Sequence, residues 1–123
     1  MSWHANDGKK CSEIIGTSYE DLSLPLKLCF MYFAAFPEDH EINATFLLPM
    51  WIAEGFIPQE DNRTLEETAE GYLEDLVQRS LVQVKYRSSK GSIIYCSIHD
   101  LLRDLAIQKA KEDNFLVVYS HPD

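Results

Sequence analysis

Long apolar stretches are absent from this sequence, and basic residues are few. The longest apolar run, 28–36, is much shorter than the roughly 20 residues that cross a bilayer, which predicts no transmembrane helix. The first residues also lack the apolar stretch of a signal peptide. Eleven Lys and Arg residues against twenty Asp and Glu residues give a net charge of −9. This balance disfavours non-specific binding to nucleic acid or to anionic membranes.

The motifs of common enzyme sites are absent as well. Residues 8–10 (GKK) are too short to cradle a phosphate, and neither GxxxxGK[ST] nor GxGxxG occurs. The cysteines Cys11, Cys29 and Cys96 lie far apart and are expected to be free thiols in a reducing compartment. Nothing matches zinc-ligand spacing, and the acidic run 38–41 is expected to be a solvated turn. We therefore predict no catalytic residue, no metal site and no independent enzyme.

The composition that is present indicates one globular domain. The chain has 123 residues, of which 46% are hydrophobic and 25% are charged. This length lies within the roughly 100–200 residues of a typical domain. We expect a lead-in or linker over 1–17, a domain over 18–119 and a tail over 120–123.

The first helix is predicted over residues 24–36. Ser23 or Asp21 could cap it, Pro25 is tolerated in its first turn, and Pro37 ends it. Nearly every residue of this segment is apolar. A helix of this kind is expected to be buried on all sides.

Two further helices are indicated by their capping residues. Asn43 begins the second, which continues to Ala53, although Pro49 predicts a kink or a shortened start. Thr64 and Glu67 form a TxxE capping box at the start of the third. That helix has one continuous apolar face, which consists of Leu65, Ala69, Tyr72, Leu73, Leu76 and Val77.

The period then changes to two. Alternating apolar residues over 82–87 and 94–98, on either side of the turn 88–91, predict a β-hairpin. A fourth helix begins near 97–100 and is expected to end at Asn114, before a short strand or extended tail over 115–119. The expected fold is mainly α with a small β-hairpin. Three helices and then a hairpin is the order of a winged-helix domain, here with an extra C-terminal helix after the wing.

The start of the fourth helix is the candidate functional site. If Ser97 caps this helix, Asp100 at its third position completes a capping box, and His99 lies in the first turn. The N-terminus of a helix favours anions, so His99 could donate to a phosphate oxygen. The simpler interpretation is that Asp100 caps the helix and that His99 is an ordinary polar residue there.

A winged helix also raises the alternative of a nucleic-acid-binding domain. The third helix would then be the recognition helix, but its charged residues are acidic except for Arg79. Phosphates would repel such a helix. The wing carries Lys85, Arg87 and Lys90, which is a modest basic tip. We therefore expect no DNA partner.

Six segments, in this order, match a pattern known from one family. They are 18–22 (SYEDL), 26–33 (LKLCFMYF), 36–39 (FPED), 51–57 (WIAEGFI), 72–82 (YLEDLVQRSLV) and 98–106 (IHDLLRDLA). The chain resembles the winged-helix (second ARC, or ARC2) subdomain of plant NB-ARC disease resistance proteins. These are the intracellular NLR immune receptors, and the resemblance is greatest to their coiled-coil class. Ile98 stands where the family's MHD motif has methionine.

The resemblance implies roles for the last two residues of this motif. His99 would face the β-phosphate of bound ADP in the resting receptor, with Asp100 holding the helix start. ADP or ATP would be the cofactor of the intact receptor, and none is expected for this chain alone, which has no phosphate loop. The implied partners are the nucleotide-binding (P-loop) domain and the leucine-rich repeats of the same receptor. A cytoplasmic location and a part in defence signalling and the hypersensitive response are also implied.

Overall fold

The computed structural model describes residues 18–38 and 40–113. The predicted lead-in over 1–17, the helix end at Asn114, the strand or tail over 115–119 and the tail over 120–123 lie outside the described residues, as does Cys11.

The helix predicted over 24–36 corresponds to α1, which spans Leu24–Met31 and continues as a short 3₁₀ helix over Tyr32–Ala35. Of the two predicted candidates, Ser23 and not Asp21 caps α1, because the Ser23 hydroxyl accepts a hydrogen bond from the Leu26 N–H at 3.4 Å. The α-helical part is shorter than the predicted range 24–36, because its last turn is a 3₁₀ helix. Helical geometry ends at Phe36, where ψ is 150°. The residue before a proline is disfavoured in the helical region, which explains this end.

These two helical segments supply much of the core, but they are not buried on all sides. Cys29, Phe30 and Phe33 are completely inaccessible to solvent, whereas Leu24 is 67% exposed. The predicted burial on every face is therefore wrong for the first turn of α1. One apolar residue in that turn faces water.

The next two elements are directly joined. Strand β1 is Ile42–Asn43, and helix α2 follows at once over Ala44–Ala53. Asn43 caps α2 as predicted, since its Oδ1 accepts a hydrogen bond from the Thr45 N–H at 2.9 Å. Pro49 lies inside α2, yet the helix begins where its cap predicts. The shortened start that Pro49 suggested does not occur.

Helix α3 spans Leu65–Gln78 and confirms the predicted capping box. The Glu67 N–H donates to Thr64 Oγ1 at 3.0 Å, and the Thr64 N–H donates to Glu67 Oε1 at 2.8 Å. The apolar face of α3 packs into the core. Its fully buried members are Ala69, Leu73 and Leu76.

The predicted hairpin consists of β2, Gln83–Arg87, and β3, Ile93–Ser97. Strand β1 joins it to make an antiparallel sheet with the order β1-β3-β2. Cys96 of β3 lies opposite Ile42 on one side and Val84 on the other. All three side chains therefore lie on the same face of the sheet, and the fully buried Cys96 identifies it as the core face.

Helix α4 spans Asp100–Glu112 and packs on α1 and the 3₁₀ helix. Arg103 connects α4 to the end of the 3₁₀ helix, because its Nε–H donates to the Phe36 carbonyl at 2.8 Å. Two residues separate the end of β3 from the start of α4, so the sheet sets the position of the helix N-terminus. The buried residues of α4 are Leu102, Ala106 and Ala110.

Candidate functional site

The junction between β3 and α4 brings the predicted site residues together. His99 is the N-cap of α4, with φ −65° and ψ 149°. Its Nδ1 accepts a hydrogen bond from the Leu101 N–H at 3.2 Å. This bond satisfies one of the backbone donors that the first turn of a helix leaves unpaired.

The prediction that Ser97 caps this helix is therefore wrong. Ser97 is the last residue of β3, where it is paired with Gln83, and only 6% of it is exposed. Strand pairing keeps it away from the helix start, and the cap falls on His99. Asp100 is consequently the first helical residue and cannot be the third-position member of a capping box. Its carboxylate still lies in the first turn, where the helix dipole favours negative charge.

The capping bond determines which nitrogen of His99 carries the proton. Nδ1 must present a lone pair to the Leu101 N–H. In the neutral imidazole the proton is then on Nε2. The ring therefore presents an N–H donor at the N-terminus of α4.

His99 lies on the wall of a surface pocket of about 360 Å³. The sheet builds the remainder of this wall. Since Cys96 faces the core, Ser97 faces the opposite side of the sheet, and Gln83 lies beside it. The residues that line the pocket are Glu41, Gln83, Lys85, Ser97, Ile98, His99 and Asp100.

The pocket combines donors of hydrogen bonds with two carboxylates. The Lys85 ammonium, the Ser97 hydroxyl, the Gln83 amide and the His99 imidazole can donate, whereas Glu41 and Asp100 can only accept when ionised. Among residues 18–38 and 40–113, no group of three or more His, Cys, Asp or Glu side chains could hold a metal ion.

The described thiols lie away from this pocket. Cys29 and Cys96 are free and buried, which confirms the predicted free thiols for the two cysteines that lie within the described residues. Burial raises the pKa of the Cys29 thiol and raises that of Cys96 to about 12. Both remain protonated at neutral pH and are poor nucleophiles.

The basic tip of the wing is partly engaged within the domain. The Arg87 guanidinium bonds both carboxylate oxygens of Glu74 on α3, at 2.9 and 3.1 Å, and the Gly91 carbonyl at 2.7 Å. This bidentate pair raises the pKa of Arg87. A nucleic-acid phosphate would have to compete with Glu74 for this guanidinium.

Of the residues that line this pocket, the sequence predicts Ser97, His99 and Asp100 as site residues but not Glu41, Gln83 and Lys85. The sequence pattern places Glu41 in a solvated turn and Lys85 at a basic wing tip, and it gives Gln83 no role. These three residues come near His99 only because β1 and β2 pair with β3. A prediction of β1 and of its pairing with Cys96 would have placed Glu41 and Lys85 beside the end of β3.

Within the described residues, helices α1 to α3, a three-stranded antiparallel sheet whose β2–β3 hairpin follows α3, and the additional helix α4 after the hairpin define a winged-helix domain. A family model described as the disease resistance protein winged helix domain matches residues 35–106. The chain therefore belongs to the winged-helix domain family of plant disease resistance proteins. No helix within the described parts of the chain combines the length and apolar character needed to cross a membrane.

Curated relatives agree with this family. The RPP13-like disease resistance protein 3 of Arabidopsis thaliana is 47% identical over 109 residues, which is 89% of this chain. The RPP8-like disease resistance protein 2 of the same plant is 44% identical over 110 residues, again 89% of the chain. The tomato (Solanum lycopersicum) ToMV resistance protein Tm-2(2) is 45% identical over 117 residues, or 94% of the chain. The matched segments are 13%, 12% and 13% of these relatives' lengths.

Proposed function

We propose that this domain closes over a bound nucleoside diphosphate and helps to hold a disease resistance receptor in its resting state. His99 donates from Nε2 to a terminal phosphate oxygen of ADP, which is supplied by the nucleotide-binding (P-loop) domain of the same receptor. Asp100 stabilises the helix start that presents His99. The observation that carries this proposal is the capping bond of His99, which leaves the proton on Nε2.

The position of His99 supports the same role. The N-terminus of a helix of 13 residues carries partial positive charge and backbone N–H groups that favour anions. A histidine at this point can add a directed hydrogen bond to a phosphate oxygen. The ring is exposed, so a ligand held by a second domain could reach it.

A contact of this kind can operate a switch. A nucleotide that touches this domain in one arrangement of the receptor but not in another shifts the balance by its difference in affinity. ADP would favour the closed arrangement, and exchange for ATP would release the domain for defence signalling, including the hypersensitive response. We expect this in the cytoplasm, with the P-loop domain and the leucine-rich repeats as partners.

Thermal unfolding with and without ADP tests this proposal. The chain is measured alone and mixed with the separately produced nucleotide-binding half of tomato Tm-2(2). We expect ADP to raise Tm only in the mixture, because this chain supplies one wall of the site. A ligand at 100 times its Kd stabilises a protein by about 2.7 kcal/mol.

Two variants identify the residue responsible. His99→Ala should lose part of the ADP-dependent gain, whereas His40→Ala should keep it, since His40 stacks on Phe36 and does not line the pocket. An equal gain in the parent and in His99→Ala would show that His99 does not contact ADP. The absence of any gain in the mixture would contradict the proposed closure.

A further inference from the structure

The His99 pocket has an unfavourable charge balance for an anion if His99 acts alone. In its neutral form His99 contributes a hydrogen bond but no formal charge. Glu41 and Asp100 lie on the same wall and repel a phosphate when they are ionised. Lys85 is the cationic side chain among the lining residues that can offset this repulsion.

Lys85 is available for that role. It makes no ion pair with any residue in the described parts of the chain, and it is exposed on β2. Most other described cations already have partners. Lys27 and Lys109 pair with Glu20, and Lys109 also with Glu112, while the arginine pairs are Arg63–Glu60, Arg79–Asp75 and Arg87–Glu74.

Ser97 adds a hydrogen-bond donor to the pocket wall. It lines the pocket and faces the side of the sheet opposite the core. Its hydroxyl makes no hydrogen bond to another residue in the described ranges, and its oxygen remains accessible from the pocket. The hydroxyl can therefore donate to an oxygen of a phosphate bound there.

We infer that Lys85 is the second phosphate ligand of this pocket, acting with His99 Nε2 on the same phosphate group while the Ser97 hydroxyl donates from the pocket wall. This inference rests on the proposed function and adds a residue from the wing to it. The hairpin pairing fixes the strand that carries Lys85. The wing would then take part in nucleotide binding through a residue of its edge strand β2 and not through its tip.

The test uses the whole 123-residue chain and inorganic pyrophosphate as the probe. Backbone amide NMR signals are followed during a titration at constant ionic strength. We expect saturable shifts confined to residue 85 and to residues 97–101, with half-saturation at roughly 1–10 mM. This weak affinity is consistent with a chain that carries one wall of the full site.

Lys85→Gln should weaken this binding about tenfold, as the loss of a charge-assisted hydrogen bond predicts. The matched control is Lys90→Gln, which removes the same charge from the wing turn but lines a different pocket. It should leave the binding within twofold of the parent. Unchanged dispersion of the amide signals establishes that both variants are folded.

The results separate this inference from the proposed function. Equal affinity in Lys85→Gln and Lys90→Gln, or no saturable shift at the pocket, would overturn the role of Lys85. The proposed function would still stand if His99→Ala removed the ADP-dependent gain in the mixture. If His99→Ala kept that gain, both the proposed function and the inference built on it would fail.

Discussion

At the scale of single residues, Tyr19 shows how burial sets a pH limit on the fold. It is 2% exposed, and its ring is contacted by the ammonium groups of Lys27 and Lys109, each 5.4 Å from the centroid. Burial, reinforced by the charges of Asp113, Glu20 and Glu112, raises the pKa of Tyr19 from 10.0 to about 12.

We therefore expect part of the stability to be lost in alkali. The raised pKa means that the folded state holds the Tyr19 proton more tightly than the unfolded state does. The resulting contribution is complete below pH 10 and is lost as the pH rises from 10 to 12. Urea unfolding at several pH values should show a shallower loss for Tyr19→Phe. Tyr86→Phe, at an exposed position, should follow the parent, and identical slopes for all three proteins would contradict this prediction.

Arg103 provides a second prediction at this scale. Replacing it with methionine keeps an apolar stem but removes the donor to the Phe36 carbonyl. We expect a loss of about 1–3 kcal/mol in the free energy of unfolding. The control is Arg79→Met, which removes a solvent-exposed ion pair with Asp75 and should cost no more than about 0.5 kcal/mol. Similar costs in urea unfolding would show that the Phe36 carbonyl is adequately hydrated without Arg103.

Capping residues could be predicted from the sequence where the cap is purely local. Ser23, Asn43 and Thr64 each accept a hydrogen bond from a backbone N–H two or three residues ahead. The sequence predicts Asn43 and Thr64 directly, and Ser23 as one of two candidates with Asp21. The sequence does not predict the cap of α4, because serine is a more common N-cap residue than histidine, whereas Ser97 is held in β3 by its pairing with Gln83. The sequence therefore places His99 in the first turn, although it is the N-cap.

At the scale of elements, helix α2 contains a proline that the fold tolerates. Because Pro49 has no N–H, the Thr45 carbonyl, four residues earlier, lacks its helical hydrogen bond. Both residues are exposed, so water can solvate that carbonyl. Pro49→Ala restores the donor, and we expect it to raise the free energy of unfolding by roughly 1–3 kcal/mol. Thermal unfolding tests this, with Ala53→Gly on the same helix as a control that should be destabilising. A lower Tm in Pro49→Ala would mean that the proline is needed for the shape of α2.

Helices and strands with a clear hydrophobic period could be predicted from the sequence, whereas the two-residue strand β1 could not. The apolar face and capping box of α3 and the alternation in the hairpin determined three elements correctly. Strand β1 has only Ile42 and Asn43, which is too short to show any alternation. Its existence depends on pairing with β3, more than 50 residues later in the chain.

At the scale of the whole molecule, the net charge of −9 opposes the nucleic-acid alternative. We expect no saturable binding to a 30-base-pair duplex in fluorescence anisotropy at roughly physiological salt. The Arg87–Glu74 pair reduces what the wing could offer to phosphates. Glu74→Gln releases Arg87 and serves as the sensitised control, which should bind more strongly than the parent if the wing can reach DNA at all. Saturable, salt-dependent binding by the parent would revive the alternative.

The order of elements and the motif composition were enough to predict a winged-helix domain with an additional helix. They could not predict the pocket, because Glu41 and Lys85 come to line it with His99 only when the three strands pair. Sequence spacing describes neighbours along one element, whereas this site is assembled between elements.

The short junction between β3 and α4 limits where this domain can change in length. An α-helix turns about 100° for each residue, so one residue inserted between 97 and 100 would carry the side chains of α4 to a different face. A shift of one residue within β3 would instead turn Ser97 toward the core and Cys96 away from it. The wing turn over 88–92 has neither constraint, since it connects two strands at the surface. Insertions and deletions are therefore expected to accumulate in that turn, while the distance from Cys96 to Leu101 stays fixed.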